Sequence, residues 1–332
     1  MSASRIWVGG YTEDLNGNAE GVGLLKVLPD GSLEDHGLAA ASASPSALAR
    51  SGDVLYSVNE GSPSVSAFRI DGDELRFLGT QDAAGGLPCA VTVLGSRSLL
   101  VAACYENGVV DVHPLSADGA IIKTSQSLRG EGTGTRINQD GPHAHDVVQI
   151  DATTVLTTDL GTDHVYVHSL DSEGLTRVAS VTFPAGSGPR DLLHFSPDTV
   201  WVLAELSNEV FVLHRDENGF RVVSRTALPG AEDGDHAAAL AVSDDGRFAY
   251  AGLRGSDRIA VLAVGADGAE LTPITHIGSG GGWPRHLVVD GPFVRVANQL
   301  TNEVVSFRIG EDGVPVKSSS ISVPSPTYLL LD

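Results

Sequence analysis

The sequence predicts an all-β fold, a β-propeller of seven four-stranded antiparallel blades, and an internal repeat is the main observation behind it. Six segments share an apolar strand, a polar elbow and a second strand of alternating apolar and polar residues, as in VLTTDLGTDHVYVHSL (155–170) and VWVLAELSNEVFVLHR (200–215). They begin at residues 55, 100, 155, 200, 249 and 294, so the spacings are 45, 55, 45, 49 and 45 residues. A repeat of about 40–50 residues built only from strands is typical of propeller blades.

Each repeat is predicted to supply one blade. The template segment provides the second and third strands, and the stretch that follows it provides the outer fourth strand. Asp-Gly pairs such as Asp245-Gly246 stand where hairpin turns are expected. A short apolar run before the template provides the innermost strand, and these runs begin after Pro45, Pro88, Pro142, Pro189, His236 and Pro284.

The two ends of the chain are predicted to complete the seventh blade. Residues 326–332 resemble an innermost strand with nothing after it, whereas residues 6–40 hold outer strands with no innermost strand before them. Pairing the two ends leaves no unpaired inner edge, which sheets must avoid. The chain is therefore predicted to be a single domain spanning residues 1–332.

Composition and charge exclude some classes of binding partner. The 332 residues carry a net charge of −21, which repels nucleic acid and anionic membranes, so neither is a predicted partner. No stretch is long and apolar enough to span a membrane, and the first ten residues lack the pattern of a secretory leader. Two cysteines make no disulfide framework. These features predict a cytoplasmic protein, a monomer or a small homo-oligomer.

Blade geometry predicts which residues meet at one mouth of the central channel. In an antiparallel blade the innermost strand starts on the face where the second strand ends, so two sets of side chains share that face. The first set starts the innermost strands and comprises Ser46, Cys89, His143, Arg190, His236, Arg285 and Thr327. The second set ends the second strands and comprises Tyr11, Glu60, Tyr105, Asp159, Glu205, Arg254 and Gln299.

The chemistry of this mouth indicates a site for an anionic ligand. Arginine side chains at 190, 254 and 285 converge with Glu205 in a chain that is otherwise strongly acidic. The planar guanidinium suits carboxylate or phosphate, because it gives two parallel hydrogen bonds. An enlarged connection, residues 129–141, reaches the same face and carries Arg136. The alternative interpretation is structural, because Arg190 and Glu205 lie symmetrically about a turn and could simply be an ion pair.

A metal site is the weaker hypothesis for the histidines of this mouth. His143 and His145 alternate along a strand, so both imidazoles would point to one side and could bind a metal together with Asp159. This spacing alone is weak evidence. We therefore predict no metal and no cofactor.

The motifs at these positions resemble those of a known family. They are Gly141-Pro-His-Ala-His145, Thr158-Asp-Leu-Gly-Thr-Asp163, Gly188-Pro-Arg-Asp191, Ala204-Glu-Leu206, Ser243-Asp-Asp-Gly-Arg247, Leu253-Arg-Gly255 and Trp283-Pro-Arg-His286. In order and spacing, this series is similar to that of the seven-bladed lactonase family, which includes propeller-type 6-phosphogluconolactonases and fungal carboxy-cis,cis-muconate cyclases.

The resemblance implies an active site at the channel mouth. Cyclase members carry a histidine, two arginines and a glutamate there, which fall by motif on the four residues that we predict to be catalytic: His143, Arg190, Glu205 and Arg254. The sequence departs from the family pattern where Asp191 replaces a histidine, where Ala204 replaces an asparagine, and at His236, where a small residue is expected.

The leading hypothesis is hydrolysis of a sugar lactone, 6-phosphogluconolactone to 6-phosphogluconate. Either Glu205 or His143 would be the general base, and Arg190 with Arg254 would hold the oxyanion or carboxylate. Arg285, together with Arg136, would anchor a phosphate. The remaining predicted contacts to this small anionic substrate are His145, Asp159, His236, Gln299 and Tyr105.

Two alternatives stay open at this point. A lactonising cyclase would use the same arginines to bind the carboxylates of an unsaturated diacid. A propeller without enzymatic activity would serve as an interaction scaffold. An aromatic content of only 5% favours the enzymes over the scaffold.

Overall fold

The structure, a computed structural model, describes residues 5–95, 98–171 and 173–332. Over these residues the chain forms 28 β-strands in seven four-stranded antiparallel sheets, with one short 3-10 helix at Glu13–Leu15. The predicted seven-bladed propeller is confirmed. Residues 1–4, part of the segment considered for a leader, lie outside the described residues.

Blades 1 to 3 follow one another along the chain, and each begins with its innermost strand. Blade 1 comprises β4 (Leu48–Ser51), β5 (Val54–Asn59), β6 (Ser64–Asp71) and β7 (Glu74–Asp82). Blade 2 comprises β8 (Pro88–Leu94), β9 (Leu99–Cys104), β10 (Val109–Pro114) and β11 (Gln126–Arg129). Blade 3 comprises β12 (Ala144–Gln149), β13 (Thr154–Asp159), β14 (His164–Leu170) and β15 (Leu175–Thr182).

Blades 4 to 6 repeat the arrangement. Blade 4 comprises β16 (Pro189–Ser196), β17 (Thr199–Ala204), β18 (Glu209–Asp216) and β19 (Gly219–Ala227). Blade 5 comprises β20 (His236–Val242), β21 (Phe248–Arg254), β22 (Arg258–Val264) and β23 (Leu271–Gly278). Blade 6 comprises β24 (Pro284–Asp290), β25 (Phe293–Asn298), β26 (Glu303–Ile309) and β27 (Pro315–Ser322).

Blade 7 joins the two ends of the chain, as the sequence predicts. Its innermost strand is β28 (Pro326–Leu331), followed outward by β1 (Arg5–Gly10), β2 (Gly21–Val27) and β3 (Leu33–Ala41). Strands β28 and β1 are antiparallel, with Ile6 opposite Leu331 and Val8 opposite Leu329. Next to β28, the Asp332 carboxylate pairs with Arg5 of this blade and with Arg50 of blade 1. The closing blade is thus tied to its neighbour by charge as well as by packing.

The apolar core is divided among the interfaces between blades. Seven clusters of buried apolar side chains occur among the described residues, one for each pair of neighbouring blades. Second strands such as β5 and β17 are buried at every position, because both of their faces pack against a neighbouring blade. In outer strands such as β7, nearly all residues are fully or partly exposed to solvent. This explains why second strands are almost wholly apolar in sequence whereas outer strands are rich in polar residues.

The seven innermost strands contact one another in sequence around the ring and enclose a central channel. The cavity in this channel has a volume of about 570 Å³. Polar residues such as His145, Arg190 and Arg285 line one end of it, and aliphatic residues together with Asp146 and Asp191 line the part beyond them. In the part of the chain that the structure describes, no helix has the length and apolar character needed to cross a membrane.

Candidate active site

A repeated backbone conformation, fixed by a hydrogen bond, positions the residues of the channel mouth. In five blades the residue before the proline of the innermost strand has a positive φ, between 37° and 66°. These residues are Ser44, Leu87, Gly188, Trp283 and Ser325. The carbonyl oxygen of each accepts a hydrogen bond from the backbone N–H of one mouth residue: Glu60, Tyr105, Glu205, Gln299 and Tyr11, in that order.

This backbone conformation is strained for most residues, so its presence indicates that the site requires it. A residue before proline normally adopts an extended backbone, and a positive φ is uncommon for any residue except glycine. At Gly188 a β-carbon would also come within 2.6 Å of the Leu206 side chain, so glycine is required there. The strain is consistent with backbone that holds a functional site rather than backbone chosen for stability.

The Glu205 carboxylate is the centre of the site. Its Oε2 lies 2.9 Å from Arg254 Nη2 and 3.2 Å from Arg190 Nη1, and its Oε1 lies 3.3 Å from His236 Nδ1. Both arginines are only 6% exposed. Two buried guanidiniums thus share one carboxylate at the mouth, an arrangement that leaves excess positive charge for an anionic substrate.

The electrostatics of this cluster fix its charge state. Burial alone would raise the pKa of Glu205, but Arg254 and Arg190 outweigh burial and hold that pKa well below the usual range. Burial lowers the pKa of Arg254 to about 10, with Arg190 and Arg285 adding to the effect and Glu205 opposing it. Glu205 is therefore an anion and Arg254 a cation at neutral pH.

Backbone carbonyls and an aromatic ring orient the two guanidiniums. Arg190 Nε donates to Ala238 O at 2.7 Å, and Arg254 Nε donates to His236 O at 3.1 Å. The Arg254 guanidinium also lies 5.5 Å from the centre of the Trp283 ring. Trp283 is a contact of the site that sequence reasoning missed, although the Trp-Pro-Arg motif was noticed.

His145 is the imidazole nearest to the arginines. It lines the channel cavity, and its Nε2 is a hydrogen-bond partner of Arg190 Nη1. Burial and then the Arg190 charge hold the pKa of His145 well below its ordinary value. His145 is therefore a neutral ring that accepts a hydrogen bond from Arg190.

A second cluster lies on the opposite side of the mouth. Arg285 Nη2 donates to the Tyr11 hydroxyl at 2.5 Å, and that hydroxyl donates to Glu60 Oε1 at 2.9 Å. The Arg285 guanidinium lies 4.7 Å from the centre of the Tyr11 ring and 3.8 Å from Glu60 Oε2. Burial would lower the pKa of Arg285, but Tyr11 and Glu60 raise it overall. The predicted phosphate anchor Arg285 is thus already engaged with protein groups.

The structure places His143 away from the arginine–glutamate cluster. Its Nδ1 donates to Tyr105 O at 2.7 Å, and its Nε2 lies 3.1 Å from an oxygen of Asp140. The imidazole stacks on the Tyr105 ring at 4.5 Å. Because both ring nitrogens face acceptor oxygens, neither presents a lone pair to the channel. His143 is therefore poorly placed for the base role that the sequence left open.

The position of each residue opposite the second strand explains this displacement. Strands β12, β16 and β20 each hold one extra residue before regular pairing resumes. At equivalent positions near the end of the second strand, the residue opposite is Pro189 in β16, whereas it is Ala144 in β12 and Ala237 in β20. The channel position of Arg190 is consequently matched by His145 and Ala238, and not by the predicted His143 and His236.

Three other predicted contacts have different surroundings. Asp159 is 1% exposed, and its Oδ1 accepts backbone N–H groups of His143, Gly161 and Thr162, so it braces a turn rather than facing the channel. Tyr105 touches both His143 and, edge-on, His145. Gln299 follows β25 at the mouth, and its buried Oε1 accepts no hydrogen bond from any described residue.

The enlarged connection reaches the mouth as predicted. Gln139 is 1% exposed and anchors it, because its Oε1 accepts the N–H groups of Thr135 and Arg136 while its Nε2 donates to Leu160 O and Asp163 Oδ1. Arg136 is exposed and, with Asn208 and His236, lines an open cleft beside Glu205. Among the described residues, no group of three or more His, Cys, Asp or Glu side chains could hold a metal ion.

Seven blades around one channel define a β-propeller, and a guanidinium–carboxylate cluster stands at its mouth. A family model described as "Lactonase, 7-bladed beta-propeller" matches residues 5–331. The chain therefore belongs to the lactonase family of seven-bladed β-propellers and is a lactone-hydrolysing enzyme. This outcome removes the hypothesis of a scaffold without activity.

Individual relatives match the chain over nearly its whole length. It is 32% identical over 337 residues to 6-phosphogluconolactonase of Bacillus subtilis (strain 168), covering 96% of each protein. A solved protein from Lactobacillus plantarum superposes with a TM-score of 0.91 at 31% identity, over 99% of each chain. The periplasmic gluconolactonase of Pseudomonas aeruginosa superposes with a TM-score of 0.92 at 28% identity, over 98% of each chain.

Proposed function

We propose that this enzyme hydrolyses 6-phosphogluconolactone to 6-phosphogluconate at the channel mouth. The observation that carries the proposal is the pair of buried guanidiniums, Arg190 and Arg254, on the Glu205 carboxylate. The similarity to the Bacillus 6-phosphogluconolactonase supports the same substrate class.

The chemistry requires a proton acceptor and a stabilised oxyanion. Water adds its oxygen to the lactone carbonyl carbon and gives up a proton, and the carbonyl oxygen becomes an oxyanion. The ring C–O bond then breaks as the carbonyl re-forms, and the released alkoxide takes a proton. Donors aimed at the oxyanion in a site that excludes water contribute strongly, and Arg190 and Arg254 supply such donors.

Glu205 is the proton acceptor in this proposal. Its Oε2 is held by the two arginines, whereas its Oε1 faces His236, which is about one-third exposed on the cleft side. A proton taken by Oε1 can pass to His236 and then to solvent. When an arginine turns to the oxyanion, its hold on Glu205 weakens and the carboxylate becomes more basic.

The phosphate is assigned to Arg136 on the enlarged connection. Arg285 is already bound to Tyr11 and close to Glu60, whereas Arg136 is exposed at the cleft beside His236. A guanidinium there can meet phosphate oxygens bidentately. Arg285 would contact the lactone ring instead.

The test is the rate of acid release from freshly prepared 6-phosphoglucono-δ-lactone, corrected for spontaneous opening. We expect wild-type enzyme to accelerate hydrolysis with and without EDTA, and Arg190→Ala to lose about 100-fold in kcat/KM. Arg136→Ala should raise KM for the phosphorylated lactone more than for glucono-δ-lactone. A wild-type rate equal to the spontaneous rate would refute the proposal.

The cyclase hypothesis is tested in the same assay series. Turnover of a carboxy-substituted muconate without lactonase activity would assign the two arginines to substrate carboxylates instead. The cytoplasmic location and the monomeric or small oligomeric state stay predictions, and the solved Pseudomonas relative is described as periplasmic.

A further inference from the structure

Three hydrogen-bond acceptors on one side of the channel mouth receive no hydrogen bond from the residues that the structure describes. They are Glu60 Oε2, Ser46 Oγ and Gln299 Oε1, and all three atoms are buried. The Glu60 and Ser46 residues are 8% and 5% exposed. Buried polar groups are nearly always paired, because a group without a partner has lost its hydration and gained nothing in return. Three of them on one side of a mouth are therefore unusual.

Glu60 belongs to the second charged cluster, and Ser46 and Gln299 lie at the mouth ends of blades 1 and 6. Glu60 follows β5 of blade 1, Gln299 follows β25 of blade 6, and the Tyr11 of blade 7 between them bonds to both Glu60 and Arg285. Ser46 and Arg285 line the same channel cavity. The cluster thus offers several acceptors and one guanidinium donor to a molecule in the mouth.

The carboxylates of Glu60 and Glu205 have different surroundings, which indicates different roles for the two clusters. Glu205 Oε2 faces two guanidiniums within 3.2 Å, and its Oε1 faces His236. Within residues 5–95, 98–171 and 173–332, the cation near Glu60 Oε2 is Arg285, at 3.8 Å, beyond hydrogen-bond distance. Glu205 Oε2 is thus engaged by two guanidiniums, whereas Glu60 Oε2 retains acceptor capacity.

We propose that Glu60, Ser46 and Gln299 form a subsite that accepts hydrogen bonds from the hydroxyl groups of a polyhydroxylated lactone, with Arg285 donating to a ring oxygen substituent. The subsite would set specificity for sugar lactones over alkyl lactones, and in this respect it rests on the proposed function. Hydroxyl groups donate well to a carboxylate, and a site with buried acceptors discriminates strongly against an analogue that lacks the matching donors.

The experiment compares two lactones with the same six-membered ring, glucono-δ-lactone and δ-valerolactone, which has no hydroxyl groups. Glu60→Gln keeps the shape but replaces the carboxylate with an amide. We expect it to lower kcat/KM for glucono-δ-lactone at least tenfold more than for δ-valerolactone, because a hydrogen bond to a charged group is worth about 1.5–3 kcal/mol. Ser46→Ala should shift the same ratio by a smaller factor.

The matched control is Glu106→Gln, an exposed carboxylate in the corresponding turn of blade 2, which should leave the ratio at the wild-type value. Equal losses of Glu60→Gln on both lactones would overturn the subsite, as would no loss on either, the result expected if water alone occupies these acceptors.

Binding of D-gluconate by calorimetry separates this proposal from the proposed function. If wild-type enzyme hydrolyses no phosphorylated lactone, the proposed function fails. The subsite then still predicts that Glu60→Gln weakens gluconate binding at least tenfold, while an unchanged Kd would overturn it.

Discussion

Two guanidiniums and an imidazole face one carboxylate at Glu205, so this residue affects stability as well as catalysis. Removing the charge of a buried ion-pair partner leaves the other charges uncompensated in a medium that solvates them poorly. The same change removes the proton acceptor. Both effects follow from distances of 2.9 and 3.2 Å to Arg254 and Arg190.

We therefore expect Glu205→Gln to lower the free energy of unfolding by about 3 kcal/mol and to reduce kcat/KM by about 100-fold or more. Urea denaturation and the lactone assay measure the two effects. The control is Asp216→Asn, which removes an exposed ion pair with Arg221 in a hairpin of the same blade and should change the stability much less. A stable, inactive Glu205→Gln enzyme would mean that the arginines find other partners.

A second pair of residues makes stability depend on pH. Asp146 and Asp191 stand one position deeper in the channel than His145 and Arg190, and each accepts a backbone N–H from the next innermost strand. Burial raises the pKa of both carboxyl groups, and the Asp191 charge raises that of Asp146 further. The folded protein thus binds protons more tightly at these groups than the unfolded chain does.

Their contribution to stability is present at low pH and is lost as the pH rises from about 4, the ordinary aspartate value, toward neutrality. Buried histidines with lowered pKa values, including His145 and His286, act in the opposite direction. The free energy of unfolding of Asp146→Asn relative to wild type should therefore increase between pH 4.5 and 7.5 in urea titrations. A constant difference across that range would contradict the prediction.

At the scale of elements, the sequence predicted each innermost strand but not its register against the second strand. Alignment on the proline placed His143 at the position of Arg190, whereas Pro142 lies two residues before Ala144, the residue that matches Pro189. The similar pairs Asp146-Val147 and Asp191-Leu192 could have revealed the offset, since Val147 and Leu192 stand at equivalent positions opposite the second strand. Strand identity was predictable from periodicity, whereas register needed the neighbouring strand.

The enlarged connection before blade 3 depends on one side chain, Gln139. Loss of its hydrogen bonds to Leu160, Asp163 and the backbone of Thr135 should release residues 130–141 from the mouth. We expect Gln139→Ala to be cleaved in this segment by a protease several times faster than wild type, and its KM for the phosphorylated lactone to rise. Asn138→Ala is the neighbouring control. Equal cleavage rates would show that the segment is held by its backbone alone.

At the scale of the whole molecule, the ring depends on the pairing of β28 with β1. Without β28, the inner edge of β1 would be exposed, and buried residues of the interface between blades 6 and 7, including Leu329, would be lost. We expect removal of residues 326–332 to abolish cooperative thermal unfolding, measured by circular dichroism. An Asp332→Asn variant, which removes only the charge beside β28, should unfold cooperatively at a lower temperature. A cooperative transition in the truncated chain would contradict the role of β28.

The ring itself was predictable because its signal is repeated many times, in apolar second strands and polar outer strands. Contacts across the mouth were less predictable. Arg285, Tyr11 and Glu60 belong to blades 6, 7 and 1, and their mutual distances depend on how the ring closes rather than on any local pattern. Sequence reasoning placed all three at the mouth, but it could not show that Arg285 is already bound there.

Blade 7, which combines β28 with β1 to β3, also affects the order in which the protein folds during its synthesis. Strands β1 to β3 leave the ribosome before the other six blades, yet the strand that completes their sheet, β28, follows those six blades in chain order. The six blades can begin to form on the nascent chain while the sheet of β1 to β3 has an open inner edge. Tyr11 emerges long before its partner Arg285. The mouth therefore cannot be assembled, and catalysis cannot begin, until β28 has been translated.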